Sequence, residues 1–217
     1  MFSFLRASHP PLTKNATKNP IVYENGLSSV SFRKPESDFI MTHTIPPTSK
    51  ENGVSIIVPP LHYHIHQDEY FNIQSGSATV YKGIDPKPFT TLSASAGGLR
   101  KAAIPRKTYH RFENASETET LVIDIHLSPE DYESEQRFFR NFFGYLDDCK
   151  SAKVAPSFFQ LMVFLHAADT PLALPLPNHT LGLVVSRVFL IGAAFVGKWG
   201  LGYRDCYEEY HIGKKWR

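Results

Sequence analysis

Between residues 28 and 127 the chain alternates apolar and polar positions in short runs that recur every eight to twelve residues. Side chains along a strand point to opposite faces in turn, so this period of two predicts half-buried β-strands. The runs fall at residues 29–33, 38–44, 54–58, 69–74, 78–82, 89–93, 99–104, 109–113 and 119–127. Between them lie Pro46-Pro47, Asn52-Gly53, Pro59-Pro60, Ser75-Gly76-Ser77, Gly83 with Pro86, and Gly97-Gly98, all of them turn formers. Many short strands at this spacing predict an antiparallel sandwich or barrel.

The period changes after Ser128-Pro129-Glu130, where Ser128 suits a helix cap, Pro129 a first helical position, and Glu130, Asp131 and Glu133 the positive helix end. Phe138, Phe139, Phe142, Phe143 and Leu146 then recur at three- and four-residue steps, predicting a helix to near Asp148 with a broad aromatic face. A second helical run covers 156–168, and a third, more apolar one covers 181–201. The third run's uninterrupted centre, 188–197, lies between Arg187 and Lys198 and is short for a membrane span. It is expected to pack against the rest of the protein or in a homodimer. Trp199, Tyr203 and the basic end Lys214-Lys215-Trp216-Arg217 make peripheral membrane association through 181–217 one alternative, and a true membrane span is the other. Residues 1–27 show no sustained period. The expected organisation is therefore an N-terminal arm (1–27), a β-barrel (28–128) and a helical C-terminal extension (129–217).

Composition narrows the function classes. A formal net charge of +2, with no repeated basic run, leaves no electrostatic footprint for nucleic acid. Cys149 and Cys206 are the only cysteines, so neither a disulfide framework nor a cysteine-rich zinc site is expected. The first residues lack the apolar core of a secretory signal, and the expected location is intracellular and cytoplasmic. The lack of acidic residues before Glu24 makes a mitochondrial address one alternative, and membrane association is another.

The chemistry concentrates in His62-Tyr63-His64-Ile65-His66-Gln67-Asp68-Glu69 and, some forty residues later, in Pro105, His110 and Asn114. Imidazoles and a carboxylate are ligands for borderline first-row metals, and three of one with one of the other leave coordination positions open. His62, His64 and His66 share strand parity while Glu69 does not, so a turn or bulge between His64 and Glu69 is required to bring it to the same interior. On parity alone, a His64, His66 and Glu69 frame stands beside one built on His62, His64 and Glu69.

Both segments resemble the paired motifs of the cupin superfamily. The first motif is matched by His62-Tyr63-His64, four residues, Glu69, six residues, Gly76. The second is matched by Pro105, His110 and Asn114, with Lys107 where the family has glycine. The resemblance implies a mainly β fold, a cupin jelly-roll β-barrel (double-stranded β-helix), with the α-helical C-terminal extension appended. It also implies one divalent metal ion held by His62, His64, Glu69 and His110, iron first and manganese, nickel or zinc as alternatives. His66 then falls outside the ligand set.

Phe71 and Ile73 share the face of Glu69, and Phe112 that of His110, so an apolar wall is expected to bind a hydrophobic small molecule. Glu69 is the candidate catalytic residue, as anionic ligand or as proton acceptor. The whole arrangement is similar to fungal single-barrel cupins with helical tails that are associated with specialised metabolism. The expected activity is a dioxygenase-type oxidation. Non-redox isomerase, cyclase or lyase chemistry and a non-catalytic ligand-binding barrel are the alternatives.

Overall fold

The computed structural model describes residues 6, 9–84, 87–174 and 176–213. Most of the leader, the breakers Pro86 and Pro175, and the basic end at 214–217 lie outside the described residues. The chain forms two compact units, Asn19–Tyr132 and Met1–Lys18 with Glu133–Arg217.

The first unit is mainly β, with one 3-10 turn at Glu24–Gly26. Its strands are β1 (Ile21–Tyr23), β2 (Ser28–Phe32), β3 (Met41–Ile45), β4 (Asp68–Ser75), β5 (Ser77–Lys82), β6 (Pro88–Ser93), β7 (Lys101–Ile104), β8 (His110–Asn114) and β9 (Leu121–Ser128). They pair antiparallel in a six-stranded sheet, β1-β2-β3-β9-β4-β7, and a three-stranded sheet, β6-β5-β8. Alternate residues of β3, β4, β8 and β9 turn inward, among them Met41, His43, Ile45, Glu69, Phe71, Ile73, His110, Phe112, Ile123 and Ile125. Phe71 from the large sheet meets Phe112 from the small one edge-on, with ring centroids 5.1 Å apart. Two sheets thus enclose a common core, the jelly-roll arrangement expected of a cupin.

Three local readings differ from the alternation in the sequence. Residues 54–58 form a turn, because the buried Glu24 carboxylate accepts from the Ser55 hydroxyl and the Ile56 amide (3.2 Å), and Val58 N–H closes back on Ser55 (3.1 Å). Backbone groups satisfied this way are not available to a ladder. Asp124, by its parity an outward residue, is only 1% exposed. Arg33 (2.6 Å), Thr42 (2.7 Å), Asn72 (3.3 Å) and Gln74 converge on its carboxylate and cover it. Ser128 closes β9 instead of capping a helix, and the first helix starts at Tyr132.

The motif landmarks hold turns. Gly76, between β4 and β5, has φ of +75°, and a Cβ there would lie 2.6 Å from the backbone oxygen of Thr120. Gly76→Ala is therefore expected to cost about 2 kcal/mol through strain and close approach. A lower urea midpoint at unchanged slope is the measurement that checks it. Lys107 adopts φ of +62°, the left-handed conformation that the family's glycine suits. The Asn114 amide donates to the carbonyls of Ile45 (3.1 Å) and Glu119 (2.8 Å), tying the end of β8 to the end of β3 and the approach to β9.

The second unit contains α1 (Tyr132–Ser151), α2 (Phe158–Ala167), capped by Ser157, and α3 (His179–Phe195), capped by Asn178 and extended by a π-helical turn, Val196–Leu201. Phe142, Phe143 and Tyr145 of α1 are buried, and Phe142 and Tyr145 lie against Phe164 of α2 (6.4 and 5.9 Å). The stretch read as an N-terminal arm is divided between the units, residues to Lys18 belonging to the second and residues from Asn19 to the first. Asn15 and Ala16 donate to the Glu209 carbonyl (2.9 and 3.0 Å), Thr13 binds Asp148 (2.6 Å), and residues 21–32 form a hairpin of the large sheet.

Candidate metal centre

Two backbone hydrogen bonds build the site. The His62 amide donates to the His110 carbonyl (3.0 Å) and the His110 amide to the His62 carbonyl (2.9 Å). The Lys107 amide donates to the His64 carbonyl (2.8 Å). The first motif therefore runs as an extra short strand beside β8, although residues 63–67 carry no ladder of their own. Bends at Ile65 and His66 then deliver the chain to β4 of the opposite sheet, where Glu69 faces inward. This is the turn that the parity of Glu69 requires.

One potential ligand atom each from His62, His64, Glu69 and His110 lies within 4.8 Å of all the others, and all four residues are buried. His66, by contrast, is exposed and outside the cluster, so the frame built on His64, His66 and Glu69 is not formed. The ring planes of His62 and His64 stand nearly perpendicular (89°) at 5.0 Å, and those of His62 and His110 are 4.3 Å apart.

Orientation comes from backbone carbonyls that the motif reading did not single out. His62 Nδ1 lies 2.8 Å from the Pro60 oxygen, and His110 Nδ1 lies 2.8 Å from the Thr108 oxygen. A carbonyl only accepts, so each Nδ1 carries the proton and each Nε2 of a neutral ring presents a lone pair to the interior. In His110 that lone pair meets Glu69 Oε2 at 2.6 Å, while His64 Nε2 is 3.5 Å from the same oxygen. Two acceptors at that distance require a proton or a cation between them. The donor set fits a divalent ion on the chemistry of its own atoms.

The electrostatics agree. Burial, and then the imidazoles of His110 and His64, hold His62 well below the ordinary histidine range, which keeps it neutral and available as a ligand. Burial alone would push the Glu69 carboxyl up, but hydrogen bonds and charge from His110 and His64 outweigh it and hold the group well below the usual carboxylate range. Glu69 is therefore held as a buried anion. Inside the same sheet, burial pushes His43 down to about 4, opposed by the negative charge of Glu69. In the sequence His43 reads first as an ordinary strand histidine, with a place in the barrel lining as the alternative, and its 2% exposure puts it in the interior.

Below the cluster the side chains repeat in layers. Glu69 and His110 form one cross-barrel pair, and two residues along each strand Phe71 and Phe112 form the next. Ile73 is buried one step further along β4, opposite Ile123. Phe71, Ile73 and Phe112 are buried on the same inward face as the cluster.

The probable oxidoreductase virH of Hypocrea virens is 35% identical over 173 residues, which span 78% of this chain and 74% of that protein. The chain belongs to the family of these fungal oxidoreductases. A second member, the oxidoreductase iacF of Pestalotiopsis fici, is 33% identical across 71% of this chain and 75% of its own length. The epoxidase atD of Aspergillus terreus is 27% identical across 70% of this chain and 46% of its own. No family model matches the chain. Among solved structures, KdgF from Halomonas sp. superposes over 51% of this chain and 95% of its own, at 17% identity and a TM-score of 0.35. In this chain the strand order and the convergence of both motifs identify the cupin fold.

Proposed function

We propose that this protein is a metal-dependent cupin oxidoreductase that uses dioxygen to oxidise a hydrophobic small organic molecule. The observation that carries the reading is the buried cluster of His62, His64, Glu69 and His110, with Glu69 kept ionised. The family's oxidoreductase names, and the oxygen-inserting reaction implied by the name of its epoxidase relative, support the redox class. A divalent ion held there, iron in our reading, supplies open positions at which an enol or hydroxyketone and dioxygen can meet.

The chain's own residues do the rest. His62, His64 and His110 act as neutral donors, fixed in two cases by the carbonyls of Pro60 and Thr108. Glu69 supplies the negative charge and, as the ionised carboxylate of the cluster, is the residue that accepts the substrate hydroxyl proton at a carboxylate oxygen. Phe71 and Phe112 exclude water and favour an aromatic or polyketide-like substrate over a sugar phosphate.

Oxygen uptake by protein reloaded separately with ferrous iron, manganese and zinc tests the proposal. With a panel of aromatic hydroxyketones, uptake is expected with iron and absent with zinc. Turnover by the zinc form without oxygen consumption would overturn it in favour of isomerase or lyase chemistry. Stoichiometric metal with no turnover across the panel would point to a binding barrel.

A further inference from the structure

The apolar run near the C-terminus forms one continuous helical rod, His179–Leu201, long and apolar enough by length and composition to cross a membrane. At about 1.5 Å per residue it is about 35 Å long. Only 33% of its most apolar stretch is buried. The buried side is Gly182, Ser186, Leu190, Ala193, Ala194 and Gly197, small residues apart from Leu190, and it seats the rod on its own unit. Ala194 packs with Val163 and Tyr203, and a Cβ on Gly197 would lie 2.8 Å from the backbone oxygen of Phe159.

The other side is a stripe of large exposed apolar residues at three- and four-residue steps. It comprises Leu181, Val184, Val188 (65% exposed), Ile191, Phe195 (64%) and Trp199 (65%). Exposed Phe189 continues it to exposed Phe158 on α2, with ring centroids 6.0 Å apart. A contiguous exposed patch of this kind marks an interaction surface.

Charge selects the occupant. No acidic residue occurs between Asp169 and Asp205, whereas Arg187, Lys198 and Arg204 do. Arg187 is exposed about a quarter turn round the helix from the stripe. Lys198 lies at the tryptophan end, 2.9 Å from Asp205. A self-paired helix seam balances its flanks with both signs of charge, and this rod offers only one. An anionic lipid headgroup supplies the other sign. A tryptophan and basic side chains beside an apolar face are the features that hold a helix in the membrane interface. Arg187, near the middle of the rod, would sit in hydrocarbon if the helix spanned, but reaches headgroups if the helix lies flat.

We infer that α3 lies in the plane of an anionic membrane surface, with Val184, Val188, Ile191 and Phe195 in the acyl region and Arg187 at the headgroups. The test is sedimentation of the full-length protein with phosphatidylcholine vesicles that contain or lack phosphatidylserine. Binding is expected only with phosphatidylserine and is expected to fall as salt rises. In a Trp216→Phe background, a blue shift of Trp199 fluorescence should accompany it. A variant with Val188→Glu and Phe195→Glu should bind at least about tenfold more weakly while keeping its circular dichroism, since both positions are exposed. Arg187→Glu provides a second variant that leaves the apolar stripe intact and should also weaken binding. Absence of binding to either vesicle, or equal binding to both, overturns the inference. So does a lipid-free dimer that the double variant dissociates, which would assign the stripe to a second copy of the chain.

Discussion

With His64 and His110 both replaced by alanine, metal affinity is expected to fall by more than about 100-fold, leaving only trace metal after purification. The double variant retains His62 and Glu69, too few donors to hold a first-row ion against water. It also removes the two imidazoles that keep Glu69 ionised, so burial acts unopposed and raises that carboxyl. The anionic donor is then weakened together with the neutral ones. The proposed oxygen-dependent turnover is expected to be absent from this variant. Elemental analysis of the folded variant, with circular dichroism as the folding check, is the measurement. His66→Ala is the matched control and should keep its metal, because that ring is exposed and outside the cluster. Near-stoichiometric metal in the folded double variant would falsify the ligand assignment.

The second large effect concerns acid. His43 is 2% exposed, and burial pushes it from 6.5 down to about 4. The unfolded chain therefore takes up a proton near pH 6.5 that the folded chain refuses until about pH 4. The neutral buried ring contributes fully above pH 6.5, and its contribution is lost as the pH falls toward 4. Each unit of difference is worth about 1.4 kcal/mol, so the wild type should lose about 3 kcal/mol more than His43→Leu over that interval. Urea titrations of chelator-treated protein at several pH values measure it. Parallel pH profiles for the two proteins would sink the claim. The metal-free form is the right one to measure, since the Glu69 charge opposing the shift is then uncompensated.

Most of the β unit was legible in the sequence, because one face of each long strand is buried and the period of two follows directly. The strands from β4 to β9 lie close to the runs of alternation. What escaped were places where a distant side chain intervenes. Residues 54–58 alternate like a strand but are claimed by Glu24, some thirty residues away in the chain. Asp124 has the parity of a solvated residue, yet four side chains from three neighbouring segments close over it. At three residues, β1 is too short to show a period.

The candidate site was legible for a different reason. His62, His64, Glu69 and His110 stand at spacings that only a particular turn can reconcile, and the bends at Ile65 and His66 supply it. Lys107 was the one mismatch inside the motif, and its left-handed backbone takes the conformation of the glycine it replaces. The carbonyls of Pro60 and Thr108 were invisible because any residue type carries one. The length of α3 was hidden by Arg187 and Lys198. They interrupt the apolar run in sequence, but both are exposed on the helix surface and leave the rod unbroken.

The reciprocal amide pair between His62 and His110 joins the two motifs through the main chain, so the entropy of bringing them together is settled during folding and not by the side-chain donors. Exchange of one ion for another then becomes a matter of supply and ligand preference, with the polypeptide unchanged. Cobalt or another coloured ion loaded into chelated protein should accordingly report on the same four donors without refolding.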